Sequence, residues 1–190
     1  MQPGGGCFGV RVITGEARGR RLQSVPGKHT RPTSDRVKEA VFSVIQFDIE
    51  GRRVLDLFAG TGQLGIEALS RGAEHAVFLD NDPGALLVIR DNLRHTGLSG
   101  RATVIAGHAS ATALGACGPF DIIFMDPPHR SPLLDSSIEA VASADLLRRG
   151  GVMLCECARD ERHPDPPPPY SLARVYNYGA TSVRLYRRMP

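Results

Sequence analysis

Apolar residues recur along this chain in two rhythms. Over 33–47 the spacing is helical. Val37, Ala40, Val41, Val44 and Ile45 stand at i, i+3, i+4, i+7 and i+8, one face of a 3.6-residue turn. Thr33 or Ser34 suits the N-cap and Asp35 the first turn. Short apolar runs then alternate with helical ones. Strands are predicted over 54–58, 75–79, 102–105, 122–125 and 152–157. Helices are predicted over 62–70 with a stop at Gly72, from Asp82-Pro83 to about His95 with a stop at Gly97, and from about Leu133 to a stop before Gly150-Gly151.

Strands that alternate with helices imply right-handed βαβ units and a mainly parallel sheet. The tail breaks this pattern. Four consecutive prolines, Pro166 to Pro169, follow His163-Pro164-Asp165 and read as a loop. Strand-like runs over 172–178 and 181–187 flank Gly179-Ala180, which predicts a closing antiparallel hairpin. Residues 10–25 read as a small basic hairpin outside the sheet. The chain thus divides into a basic extension over 1–30 and an α/β domain over 31–190.

A length of 190 residues fits one domain with a sizeable core, and 42% apolar against 23% charged residues is ordinary for a soluble globule. No apolar run reaches the ~18 residues of a membrane span. The first residues, MQPGGGCFGV, have no charged n-region and no apolar h-region, so no signal peptide is expected. Cys155 and Cys157 lie in an apolar run and point to one face, as Cys-x-Cys does in a strand. With Cys7 and Cys117 they read as reduced thiols rather than a metal site or a disulfide. A cytoplasmic protein is therefore expected.

Net charge is +3, unevenly placed. Between Arg11 and Arg36 seven basic residues face two acids, a local +5 against −2 for the rest. Arg11, Arg18, Arg20, Arg21, Lys28 and Arg31 are the candidate contacts to an anionic partner. Gly15, Gly19 and Gly27, interleaved with them, let backbone approach phosphates, which favours nucleic acid over a merely solvated face.

The run VLDLFAGTGQLGIEAL places Gly60-x-Gly62-x-x-Gly65 between a predicted strand and a predicted helix. Glycines there permit a tight turn and close approach of backbone to a ligand. An acid is then needed at the end of the next strand, ~20 residues on, for ribose hydroxyls. Asp80 ends HAVFLD, twenty residues after Gly60. Asp82 is the second choice because it also suits the cap of the following helix. These features indicate a nucleoside cofactor without saying which.

The stretch FDIIFMDPPHR narrows the chemistry. An exocyclic amine conjugated with its ring is a poor nucleophile. A carboxylate from Asp126 and a carbonyl from Pro127 can accept its two N–H bonds and aim its lone pair. Prolines hold carbonyls rigidly and add no competing donor. The His129 ring can stack on a base, worth ~1–3 kcal/mol for aromatic side chains.

With these motifs in view the chain resembles a class I S-adenosylmethionine-dependent methyltransferase carrying the amino-methylating motif [DNS]-P-P-[YFWH]. More closely, RPTSDRVKEAVFSVI, VLDLFAGTGQLGIEALSRGA and YGATSVRLYRR resemble the RsmD family. The likeness spans about 10–188. It implies a Rossmann-like, seven-stranded, mostly parallel sheet ending in an antiparallel hairpin. It implies methylation of a guanine N2 in 16S ribosomal RNA, within small-subunit particles, by a monomer using S-adenosylmethionine and no metal. It places Thr33, Asp56, Gly60, Gly62, Asp80 and His108 at the cofactor and Asp126, Pro127 and His129 at the amine. Two positions depart from the family pattern: His129 stands where Tyr is usual, and His108 where an acid is usual.

Other readings share parts of this pattern. Adenine-N6 methylation of nucleic acid and glutamine-N5 methylation of protein use the same four-residue motif, and the basic segment disfavours the protein substrate. In a nicotinamide oxidoreductase Asp80 would hold the NAD ribose. A non-catalytic RNA-binding protein would retain the basic segment with an inactive site.

Overall fold

The computed structural model describes residues 10–25, 35–108 and 117–189. The predicted alternation appears as α1 (Asp35–Val44), β1 (Arg53–Leu57), α2 (Gln63–Ser70), β2 (His75–Asp80), α3 (Pro83–Thr96), β3 (Ala102–Ala106), β4 (Phe120–Met125), α4 (Leu133–Ser143), β5 (Leu147–Ala158), β6 (Tyr170–Tyr178) and β7 (Thr181–Arg188). The seven strands form one sheet in the order β3-β2-β1-β4-β5-β7-β6. β1 to β5 pair in parallel, and β7 lies antiparallel between β5 and β6. The strand order reverses between β1 and β4, and the crevice beyond the strand ends at such a switch point is where ligands of open α/β sheets bind.

Side chains alternate across the sheet, and in the central strands they are buried on both faces. Val54, Phe78, Ile122, Phe124 and Leu154 pack with α1, α2 and α3, whereas Leu55, Leu79, Ile123, Met125 and Met153 pack with α4. Strands buried on both sides read as continuous apolar runs, which is why their sequence signal is strong.

Several predicted boundaries shift, each for a local reason. Phe58 leaves β1 because its φ of 69° turns the chain out of extended geometry. The fourth helix ends at Ser143, well short of Gly150, where Asp145 at φ 47° reverses the chain into β5. Gly150-Gly151 lies inside β5. Between Phe120↔Leu147 and Ile122↔Val152, β4 advances two residues while β5 advances five. A Cβ on Gly151 would stand 2.9 Å from the Asp121 carbonyl oxygen, so that bulge admits only glycine. The proposed cap residues Thr33 and Ser34 lie outside the described residues.

Segment 10–25 forms a hairpin outside the sheet, with an antiparallel bridge Arg11↔Arg21 and bonds Val12 N–H to Arg20 O and Leu22 N–H to Val10 O. It is integrated with the body. Val10, Val12, Ala17 and Leu22 join the core beside α1 and α2. The Glu67 carboxylate accepts from Ile13 N and Thr14 N at 2.7 and 3.0 Å, and Ser70 Oγ accepts from Ala17 N. Gly15 touches α2 so closely that a Cβ would overlap the Ser70 carbonyl. Lys38 and Glu67 are both fully buried. Lys38 Nζ donates to Arg11 O and stands 3.9 Å from Glu67. Burial pulls its ammonium below the ordinary range, and Glu67 opposes that shift.

Candidate active site

A cavity of about 1190 Å³ opens at the carboxyl ends of β1, β2, β4 and β5. Phe58, Gly60, Asp80, Asn81, Asp126 and His129 are among its walls. A smaller cavity of about 320 Å³, between Gly118 and Arg188, lies at the opposite end of the strands.

One wall is the turn from β1 to α2. Phe58 N–H and Ala59 N–H both donate to Leu79 O, and Gly62 N–H donates to Ala59 O. Gly60 and Gly62 have φ of 55° and 76°, in the left-handed region that glycine adopts without strain. Phe58 adopts φ 69° without that freedom, and aromatic residues hold such geometry where the surroundings over-determine it. The third glycine serves packing, since a Cβ on Gly65 would lie 2.3 Å from the Phe78 ring. Asp80 Oδ2 accepts from Gly60 N at 2.8 Å and Oδ1 from Asp82 N at 2.9 Å, so its carboxylate is fixed at the turn. Asp82 does serve as the cap of α3, accepting from Gly84 N at 2.7 Å.

Asp56 has a different place. It is buried beneath the turn, accepts from Gly65 N at 2.8 Å, and is absent from the cavity lining. Burial pushes its carboxyl up to about 8; the Gly65 N–H opposes this, and Asp126 and Asp80 add to it. Gly62 likewise sits behind the wall, facing Ile66 and Ile89. His108 is exposed, with Nδ1 3.4 Å from Asn81 Nδ2 at the cavity edge. Thr33 lies outside the described residues.

The facing wall follows β4. Asp126 is half-buried, Pro127 buried and His129 exposed. Glu156 of β5 completes this corner: one ligand-type atom each from Asp126, His129 and Glu156 lies within 4.8 Å of the others, and His129 Nε2 is 4.0 Å from Glu156 Oε1. The loop is anchored just beyond. Arg130 N–H donates to Glu161 Oε1 at 2.5 Å and its guanidinium pairs with Asp160 at 2.8 Å.

Sequence reading missed Glu156, Asn81 and Gln63. Glu156 reaches this corner only because β5 pairs with β4, and Asn81 lies between Asp80 and Asp82. Gln63 is 8% exposed and its Oε1 has no hydrogen-bond partner among the described residues, although it lines the cavity. An orphaned acceptor in the wall, beside a fixed carboxylate and backbone of the glycine turn, suits a ligand with ammonium and hydroxyl donors.

Of the basic candidates, Arg11, Arg18, Arg20 and Arg21 are exposed on the hairpin. Arg11 pairs with Asp35 at 3.2 Å, and Arg20 donates to His95 O. Lys28 and Arg31 lie outside the described residues. The hairpin reaches the cavity at Val25, which packs on Ala85 and Val88 of α3. Asn92 ties the hairpin to the glycine turn, donating to both Gln23 O and Thr61 O. Among the described residues no helix is long and apolar enough to cross a membrane.

The sheet order, its terminal antiparallel hairpin and the cavity at the switch point define the class I methyltransferase fold. A family model described as "Conserved hypothetical protein 95" matches residues 10–187. The chain belongs to that family, the RsmD family of the resemblance above. YlbH of Bacillus subtilis (strain 168) is 38% identical over 94% of this chain and 99% of its own length. Ribosomal RNA small subunit methyltransferase D of Escherichia coli (strain K12) is 34% identical over 94% of this chain and 90% of its own. The solved structure of yhhF from Escherichia coli matches with a TM-score of 0.82 at 36% identity, covering 95% of this chain and 98% of that one.

Proposed function

We propose that this protein transfers a methyl group from S-adenosylmethionine to the exocyclic N2 of a guanine in 16S ribosomal RNA, acting on small-subunit particles. One observation carries the reading: Asp126 and His129 stand across a single cavity from Gly60 and Asp80. Relatives named ribosomal RNA small subunit methyltransferase D support the coarser part of this reading, methyl transfer to small-subunit rRNA.

The cofactor supplies a sulfonium-bound methyl, already a strong electrophile. Asp80, with the backbone of Gly60, would hold its ribose side, and Gln63 offers an acceptor to its ammonium. The chain's remaining task is placement. Asp126 and the Pro127 carbonyl accept the two amine N–H bonds and turn the nitrogen lone pair toward the methyl. His129 stacks on the base and Glu156, 4.0 Å away, steadies the ring. One amine proton leaves as the new N–C bond forms, and Asp126 or solvent takes it. No metal takes part in this transfer. The basic hairpin, leading from Arg18 and Arg21 to Val25 at the cavity, guides the RNA. We further propose that the enzyme works as a monomer in the cytoplasm.

The test is labelled methyl transfer into small subunits prepared from cells lacking this protein. The wild type should label 16S rRNA. Asp126→Ala should bind S-adenosylmethionine normally and lose ~10²–10³ in rate, the usual cost of one preorganised polar contact. Near-normal turnover in that variant would remove the mechanism.

A further inference from the structure

Cys157, expected from sequence to be a reduced buried thiol, stands among other potential ligand groups. Cys157 points to the sheet face opposite its neighbour Glu156, into the layer shared with α4. There one ligand-type atom each from Cys157, Glu161 and His163 lies within 4.8 Å of the other two. The His163 side chain is only 5% exposed. Its Nδ1 is 2.7 Å from Asp135 Oδ1, and its Nε2 is buried without a hydrogen-bond partner among the described residues.

We propose that Cys157, Glu161 and His163 form a site for a divalent transition-metal ion of the zinc type, with Asp135 orienting the imidazole. Metal-ligating histidines commonly give one ring N–H to a carboxylate, which fixes the tautomer and leaves the other nitrogen for the metal. Asp135 does this at Nδ1, and the vacant Nε2 lone pair is otherwise an unsatisfied buried acceptor. Thiolate, imidazole and carboxylate form a zinc donor set, and water fills the fourth position. Bonds of about 2.0–2.3 Å put tetrahedral ligand atoms roughly 3.3–3.8 Å apart. The three groups therefore need to close by no more than about 1.5 Å, within reach of side-chain rotation.

The thiol now donates to Ser182 O at 3.8 Å, and burial pushes it up to about 11. The cation takes the place of the thiol proton: a metal–sulfur bond forms, the S–H bond breaks, and the proton passes to solvent. Glu161 also accepts from Ala158 N at 2.6 Å and Arg130 N at 2.5 Å. Occupation of the site therefore ties the end of β5, the start of α4 and the residue after the Asp126–His129 motif to one centre.

The test uses the full chain, kept reduced by a phosphine rather than a thiol. Cobalt(II) should produce a thiolate-to-metal charge-transfer band that zinc then displaces, with release of a proton and a rise in Tm. Cys157→Ser should abolish the band, His163→Ala should abolish or greatly weaken it, and Asp135→Asn should cost about 10–100-fold in affinity. Circular dichroism of each variant verifies folding, and the wild-type titration decides the matter where a variant fails to fold. Absence of the band in wild type overturns the proposal. So does a band that survives Cys157→Ser, which would come from another cysteine. Cobalt binding without a thiolate band, lost in His129→Ala, would place the ion at the sulfur-free Asp126–His129–Glu156 corner and also overturn it.

Discussion

At position 129 a histidine closes the Asp-Pro-Pro motif, and under the proposed function only the ring is needed for stacking. His129→Phe and His129→Tyr should therefore retain methyl transfer. His129→Ala should lose ~1–3 kcal/mol of base contact, read as a raised KM or lowered single-turnover rate. Equal rates in the Ala and Phe variants would show that the ring does not stack. Asp56 makes a separate prediction about stability. Its buried carboxyl keeps its proton up to about 8, whereas an unfolded chain releases it near ~3.9. Between those values the native state binds the extra proton, so stability falls as pH rises. This contribution is fully present in acid and lost by about pH 8. Asp56→Asn should flatten the slope of Tm against pH across that window, and an unchanged slope would show that Asp56 is ionised in the native state. Asp126 and His129 stand out together in sequence because the motif is contiguous, and both line the cavity. Glu156 does not stand out with them, since only strand pairing brings β5 beside the end of β4. Asp56, which the family resemblance places at the cofactor, is buried and accepts a hydrogen bond from Gly65 N.

At the scale of elements, the glycine turn and the hairpin depend on α2. Gly65→Ala drives a Cβ into the Phe78 ring on β2, and such overpacking costs ~1–3 kcal/mol. Chemical denaturation should show that loss together with weaker S-adenosylmethionine binding. Glu67→Gln removes the buried countercharge 3.9 Å from Lys38, and removing one partner of a buried pair costs ~3–5 kcal/mol, which chemical denaturation should show. The hairpin's basic character was plain in sequence, and its attachment was not. Hydrogen bonds from Ile13 and Thr14 to Glu67 join residues more than fifty positions apart, and nothing in residue spacing announces them. Deleting 10–25 would expose Val10, Val12 and Leu22 contacts and strip partners from Glu67, so truncation is a poor test of RNA binding. The double substitution Arg18→Glu and Arg21→Glu avoids this by changing exposed residues. It should raise the KM for RNA and reduce the slope of log affinity against log salt by about 2, because each lost phosphate contact removes one released counterion. Unchanged salt dependence would take these arginines out of the interface.

At the scale of the whole molecule, the alternation of apolar runs carried most of the topology. Parallel strands buried on both faces and helices bounded by Gly72 and Gly97 leave few arrangements open. What spacing did not carry was local: the left-handed Phe58, the long bulge at Gly150-Gly151 and the early end of α4 all depend on contacts between distant segments. The cavity joins the two halves of the chemistry, so a ligand filling its glycine-turn side should stabilise the native state by mass action. S-adenosylmethionine or its demethylated product should raise Tm and NAD should not; the opposite result would move the protein out of methyl transfer. The central claim concerns a single atom, guanine N2. Its most direct test is to incubate the protein and labelled S-adenosylmethionine with small subunits from cells lacking it, digest the RNA to nucleosides, and identify the labelled product by mass spectrometry. N2-methylguanosine in 16S rRNA is the predicted product; label in N6-methyladenosine, or in protein rather than RNA, would contradict it.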